Sequence, residues 1–407
     1  MTSIRFFHVA DLHLDSPFKG ITSMPDHQLE TLRNSTFDAF QTLIHSAVQE
    51  KPDFILVVGD IYDGEDRSLR AQHKFQQGME VLNDHKIPVF ICHGNHDHLG
   101  GKWTRFQLPS NVHVFQKKIE KVHIRIRQQD VYISGFSYKE RHVKDSMISS
   151  YTEANDKEAI HIGMLHGSLA GDKTHDVYAP FTKDELISKN YDYWALGHIH
   201  KRQVLHLEPP IVYSGNIQSR HRNERGPKGF YDVTLTKGDA QLTFIPTSAI
   251  IYDQVTCSCK DIVHANEWFE AIEDVINQFR NHYGAGVLEV KLTEVDANTL
   301  AMLDGTPMDE WLSMVRETQE MRDPLIWVQS ISMEPSKTIE MESSGLTDNV
   351  ISVMGNWDTK DWKEIVSDVY QHPRMSRFME TLTEEDYKTI GRKASEFIQK
   401  ELVVRSE

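Results

Sequence analysis

Two sheets facing each other with helices outside, a layered α/β fold, are predicted for residues 1–250, with a small α+β domain and C-terminal helices following. Three observations predict it. Short apolar runs stop abruptly at Gly or at Asp/His loops, as central strands do. Longer stretches with a helical apolar stripe alternate with these runs, the signature of a layered α/β sheet. From about residue 111 the helical stripes give way to closely spaced alternating strands.

Residues 4–10 (IRFFHVA) read as a buried strand followed by an Asp/His loop. Residues 27–50 carry a stripe through Leu29, Leu32, Phe37, Phe40, Leu43, Ile44 and Ala47, which makes them a helix. Phe54–Val58 is a strand stopped by Gly59, 67–85 a helix, and Pro88–Cys92 a strand ending at Gly94. Strands are expected at 111–115, 122–127 and 131–136. Ile160–Leu165 and Asp192–Leu196 should be strands ending at His166 and at Gly197-His198. Antiparallel strands are expected at 203–206, 211–213, 229–236 and 241–246.

Residues 251–333 read strand (251–257), helix (262–281), strand (287–293), helix (307–320), strand (325–331), a second, small α+β domain. Residues 334–356 are polar and weakly patterned and read as a linker. The region 357–407 reads as two helices. One places Trp362, Ile365, Val366, Val369 and Tyr370 on a face. The other begins near Thr383, with Asp386 at capping-box spacing, and aligns Tyr387, Ile390, Ala394, Phe397, Ile398 and Leu402.

Composition sets the class. With 39% hydrophobic and 26% charged residues, the 407-residue chain can build a core and is not disordered. Its net charge of −16 argues against binding nucleic acid by bulk charge. The acidity is localised, however: residues 1–250 hold 29 basic and 30 acidic side chains, and 251–407 hold 15 and 30. Three cysteines without a C-x-x-C pair exclude a disulfide framework and a zinc ribbon. The N-terminus has no apolar signal region, and no apolar run is long enough to span a membrane, so a cytoplasmic protein is expected.

Five short segments place oxygen or imidazole groups directly after a predicted strand: Asp11-Leu12-His13, Gly59-Asp60, Gly94-Asn95-His96-Asp97, His166-Gly167 and Gly197-His198-Ile199-His200. Sites in layered α/β folds gather at the carboxyl ends of strands, so five such ends can converge on one pocket. Oxygen and imidazole donors without Cys suit Mn, Fe, Zn or Mg. In D-x-H, alternate side chains leave a strand end on the same side, so Asp11 and His13 can meet one ion. The carboxylate of Asp60 can bridge two. Two ions about 3.5–4 Å apart activate water and neutralise a phosphoryl group. Asp97 fits a residue that orients a histidine better than it fits a ligand. His8, His93 and His161 flank strands and read as structural.

The ordered set D-x-H, G-D, G-N-H-D, H-G, G-H-x-H over residues 11–200 resembles the calcineurin-like metallophosphoesterase superfamily, whose fold is a four-layer α/β/β/α sandwich. HVADLHLDSPF (8–18) and YSGNIQSRHRNERGPKGF (213–230) resemble the YhaO-type branch of DNA repair exonucleases, relatives of the SbcD nuclease, which also carry a small capping domain and C-terminal helices. The resemblance implies that Asp11, His13, Asp60 and His200 bind one metal, and that Asp60, Asn95, His166 and His198 bind the other. It implies manganese as the ion. His96 would be the acid that assists the leaving 3′-oxygen, oriented by Asp97. Asp15 stands where SbcD relatives often have Gly.

The densest basic cluster, Arg220, His221, Arg222, Arg225 and Lys228, is expected to touch a DNA backbone or to form a solvated loop. The resemblance further implies that the C-terminal helices dock on the coiled coil of an SbcC-like, SMC-type ATPase, and that the chain dimerises through helices near residues 67–110. The reading is therefore a two-metal, Mn-dependent DNA exonuclease cutting from 3′ ends in DNA repair. A phosphoesterase for a small phosphodiester or nucleotide, and a non-catalytic scaffold of the same fold, are the alternatives.

Overall fold

The computed structural model describes residues 3–18, 21, 23–64, 68–100, 106–171, 177–333, 345–370, 382–383 and 386–395. Strand β1 (Ile4–Ala10) lies parallel to β2 (Phe54–Val58), which is followed by β3 (Val89–Cys92) and β4 (Val112–Val114), all parallel. The antiparallel pair β11 (Gly229–Thr236) and β12 (Asp239–Pro246) adds to the other edge of β1. The period of two along β1 and β2 sorts their side chains between two cores. Ile4, Phe6, Phe54, Leu56 and Val58 face the second sheet, while Phe7, Val9, Ile55 and Val57 face helices α1 (Asp26–Glu50) and α2 (Leu69–Asp84).

The second sheet has the order β5 (Glu120–Ile126), β6 (Gln129–Gly135), β7 (Ile160–His166), β8 (Tyr193–Gly197), β10 (Pro210–Tyr213), β9 (Gln203–Leu207). Its inner face supplies Val131, Ile133, Ile160, Ile162, Met164 and Ala195 to the core shared with the first sheet. Its outer face buries Leu165, Trp194, Leu196 and Tyr213 under loops and the five-residue helix α3 (Lys183–Ile187). The strands expected at 203–213 and 229–246 are antiparallel hairpins, but they complete different sheets. Strand β10 pairs parallel with β8, whereas β11 joins β1.

Residues 251–333 form a three-stranded parallel sheet, β13 (Ile251–Ser258), β14 (Gly286–Thr293) and β15 (Ile326–Met333), with helices α4 (Ala265–Tyr283) and α6 (Met308–Gln319). A short helix, α5 (Ala297–Leu303), was not predicted; Asp296 caps it by accepting from the Thr299 backbone N–H at 2.8 Å. On the opposite sheet face, Tyr252, Val287 and Trp327 pack with Phe18, Met24 and Leu32. This three-stranded sheet thus packs on the loop that follows β1.

The linker expected at 334–356 is corrected in part: Gly345–Gly355 form helix α7, and 334–344 lie outside the described residues. Helix α7 packs Val350 and Met354 with Trp357, Trp362 of α8 (Thr359–Tyr370) and Tyr387. The predicted capping box is present, since Asp386 Oδ2 accepts from the Thr383 N–H at 2.8 Å and Thr383 Oγ1 accepts from the Asp386 N–H at 3.2 Å. Residues 386–395 are helical, while Phe397, Ile398 and Leu402 lie outside the described residues. No helix among the described residues is long and apolar enough to cross a membrane.

Candidate metal centre

All five segments arrive at one place, where the carboxyl ends of parallel strands from both sheets meet. Asp11 and His13 follow β1, Asp60 follows β2, Asn95 follows β3, His166 ends β7 and His198 follows β8. The backbone there is strained. Asp11 (φ 51°), His13 (φ 42°), Asp60 (φ 47°) and His198 (φ 96°) all have positive φ without being glycine. Such backbones persist only where surrounding bonds over-determine them. The Asp11 N–H donates to Gly59 O at 3.2 Å and the His13 N–H to Asp60 O at 3.0 Å, tying the two loops together. Asp15 is also left-handed (φ 66°), a conformation that Gly adopts freely and Asp at small cost.

Glycine is required by crowding as well. A Cβ on Gly59 would collide with the His166 ring, and one on Gly94 with Asp60 and the same ring. The loops thereby close around the imidazole and carboxylate groups.

Three groups of donors result. The ligand atoms of Asp11, His13 and His200 lie within 4.8 Å of one another, as do those of Asp11, Asp60 and His166 and those of His13, Asp63 and His96. His13 Nε2 and His200 Nε2 stand 3.0 Å apart, two like nitrogens aimed at one point. Asp60 Oδ2 lies 3.3 Å from His166 Nε2 and 3.9 Å from His13 Nε2, between the groups. Asn95 Oδ1 is 3.0 Å from His166 Nε2, and His198 packs its ring against that of His166. His166 Nδ1 faces Val58 O at 3.2 Å, which turns Nε2 toward Asp60 and Asn95. This donor set fits hard or borderline divalent ions; Asp11 belongs to two of the groups and Asp60 stands between His166 and His13, so either carboxylate can serve a pair of them.

The electrostatics agree with a site built for cations. Burial drives the Asp11 carboxyl up to about 6, although His166 opposes it. Burial also acts to raise Asp60, but His166, His96 and His13 overcome it and hold Asp60 well below the usual carboxylate range. Burial alone would lower His166; Asp60 and Asp11 outweigh it and push the imidazole up to about 9. His166 thus occupies a place where positive charge is stabilised.

Two carboxylates that sequence reading missed complete the centre. Glu224 Oε1 lies 2.6 Å from His200 Nδ1. Asp63 Oδ1 lies 3.4 Å from His13 Nδ1 and 3.6 Å from His96 Nδ1, and it accepts from Arg220 Nη1 at 2.9 Å. Asp63 stands three residues after Asp60, a signal within reach. Glu224 has no spacing relation to His200 that a motif would reveal.

Asp97 is placed beside a different histidine, His93. Its carboxylate accepts from the Ile61 N–H at 2.9 Å and the Gly94 N–H at 2.7 Å, and it meets His93 Nδ1 at 2.9 Å. It shapes the loop that carries Asn95 and His96, and Asp63 is the carboxylate beside the His96 imidazole. His93 and His8 are structural, as read. His8 bridges the sheets through Tyr193 Oη at 3.0 Å and Leu196 O at 3.1 Å.

The basic cluster is also placed differently from the expectation. Arg220 pairs with Asp63, Arg222 Nη2 with Asp386 at 2.8 Å, and Arg225 Nη2 with Glu289 at 2.6 Å. Lys228 Nζ donates to His200 O at 3.3 Å and is buried. Arg225 and Arg222 thus tie this loop to strand β14 and to the C-terminal helical residues, while Arg220 and Lys228 bond beside the donor groups.

Comparison with known proteins agrees with this geometry. The family profile of calcineurin-like phosphoesterases matches residues 4–202. The chain is 34% identical over 407 residues, 99% of each chain, to the uncharacterized metallophosphoesterase YhaO of Bacillus subtilis (strain 168). It is 24% identical over 277 residues, 65% of this chain and 69% of the other, to the DNA double-strand break repair protein Mre11 of Methanocaldococcus jannaschii. The Mre11 protein of Thermoplasma acidophilum is 25% identical over 262 residues, 60% of this chain and 65% of its own. The strand-end carboxylates and imidazoles and the full-length similarity lead to one conclusion: the chain belongs to the calcineurin-like phosphoesterase family and is a metal-dependent phosphoesterase.

Proposed function

We propose that the chain is a cytoplasmic, manganese-dependent DNA exonuclease that cuts phosphodiesters from 3′ ends in DNA repair, with an SMC-type ATPase on its C-terminal helices. Asp11, His13, Asp60 and His200 would hold one ion, and Asp60, Asn95, His166 and His198 the other. When bound, the ions supply an activated water and neutralise the phosphoryl charge. The placement of His96 carries the proposal. Its backbone N–H is fixed to Asp60 Oδ1 at 2.9 Å, yet its side chain is 30% exposed, against 1% for His13 and His166. A substrate can reach it, and its imidazole would give a proton to the leaving 3′-oxygen. The two relatives named for DNA double-strand break repair support DNA as the polymer. Exposed Val353 and Ile365 offer apolar surface to an ATPase partner, and Leu69 and Val81 on α2 offer it to a second copy.

A second reading, a phosphoesterase for a small phosphodiester or nucleotide, is favoured by the pairing of Arg220, Arg222 and Arg225 with acidic groups inside the chain. End-labelled duplex DNA incubated with and without manganese, beside a small aryl phosphodiester, separates the two. Manganese-dependent shortening from 3′ ends is expected. Hydrolysis of the small diester with DNA untouched, both alone and with the ATPase, would establish the second reading.

A further inference from the structure

His200 is held at both ends. Its carbonyl accepts from Lys228 Nζ and, at 3.4 Å, from the Asn216 N–H, which fixes the backbone. The ring is then oriented by Glu224. Oε1 of that carboxylate lies 2.6 Å from His200 Nδ1 and 3.3 Å from His221 Nε2. Oε2 accepts from the Arg220 N–H at 2.7 Å and from Asn216 Nδ2 at 2.8 Å. Glu224 is 6% exposed, so no water competes freely for these bonds.

We infer that Glu224 is the positioning residue that fixes the tautomer of His200, keeping the proton on Nδ1 and leaving Nε2 as a bare donor for a divalent ion. A neutral imidazole binds metal through the nitrogen without a proton, and the partner of the other nitrogen decides which one that is. The His200 Nε2 atom points at His13 Nε2, the convergence point of one donor group. A proton there would abolish the ligand. This inference rests on the metal dependence of the family and not on DNA as substrate, so failure to cut DNA leaves it intact.

The substitution Glu224→Gln tests it, because the residue is isosteric but its two ends differ. Two donors, Arg220 N–H and Asn216 Nδ2, claim the amide oxygen at the Oε2 position. The amide nitrogen must then face His200 Nδ1 and donate to it, which drives the proton to Nε2. Full-length protein labelled with ¹⁵N-histidine and stripped of metal reports the tautomer in two-bond ¹H–¹⁵N spectra, with His200 assigned from the spectrum of His200→Asn. Wild type should show His200 as the Nδ1–H form and Glu224→Gln as the Nε2–H form. Titration calorimetry with manganese should show one of two sites weakened roughly 10–100-fold in Glu224→Gln and the other retained. Glu224→Leu, which offers neither donor nor acceptor, should give a mixed tautomer and the same weakened site. An Nδ1–H tautomer and unchanged manganese affinities in either folded variant would overturn the inference.

Discussion

At the scale of single residues, the candidate donors are legible because each follows a strand and each motif is local: D-x-H, G-D, G-N-H-D, H-G and G-H-x-H. Roles that depend on a partner elsewhere in the chain are not. Asp97 sits beside His96 in sequence but bonds to His93, Ile61 and Gly94, while Asp63 and Glu224 reach the histidines only in the folded chain. Left-handed backbones at Asp11, His13 and Asp60 carry no sequence mark either. The account makes His96 a proton donor with no hold on the ions. His96→Ala is therefore expected to lower kcat by roughly 10²–10⁴-fold, the usual worth of a positioned acid. Manganese content, measured by elemental analysis, should stay at the wild-type level. Unchanged turnover, or loss of metal together with activity, would remove His96 from that role.

At the scale of elements, β1, β2 and β11 fall where the apolar runs begin and end, and most others lie within a few residues of expectation. Helices α3, α5 and α7 escaped because they are short, of five, seven and eleven residues, and α7 is bounded by Gly345 and Gly355. Sheet membership was invisible, since β10 and β11 look alike as short apolar runs but join different sheets. His8 on β1 joins those sheets and yields a pH prediction. Burial lowers its pKa from 6.5 to about 3, so it is neutral in the fold and titrates normally once unfolded. As pH falls below 6.5 the unfolded chain takes up a proton that the native chain refuses, and stability drops until pH reaches about 3. Between pH 7 and pH 5 the wild type should lose about 2 kcal/mol more than His8→Gln, in urea unfolding at the two pH values. Equal losses would contradict it.

At the scale of the whole molecule, the split in charge takes on a different meaning. The near-neutral first 250 residues carry the donor groups, but two cations of their densest basic cluster, Arg222 and Arg225, pair with the acidic part of the chain. Arg225 reaches Glu289 on β14 and Arg222 reaches Asp386 beside the last helix, while Glu224 between them holds His200. No local pattern foretells such contacts, because they join residues 64 and 164 positions apart. The central claim concerns the centre that this loop braces: the carboxylate of Asp60 would serve two divalent ions. Manganese binding to wild type and to Asp60→Asn, measured by titration calorimetry on the full-length chain, tests it most directly. The account predicts two ions per wild-type chain and weakening of both in Asp60→Asn, whereas a single ion in wild type, or two undiminished sites in the variant, would contradict it.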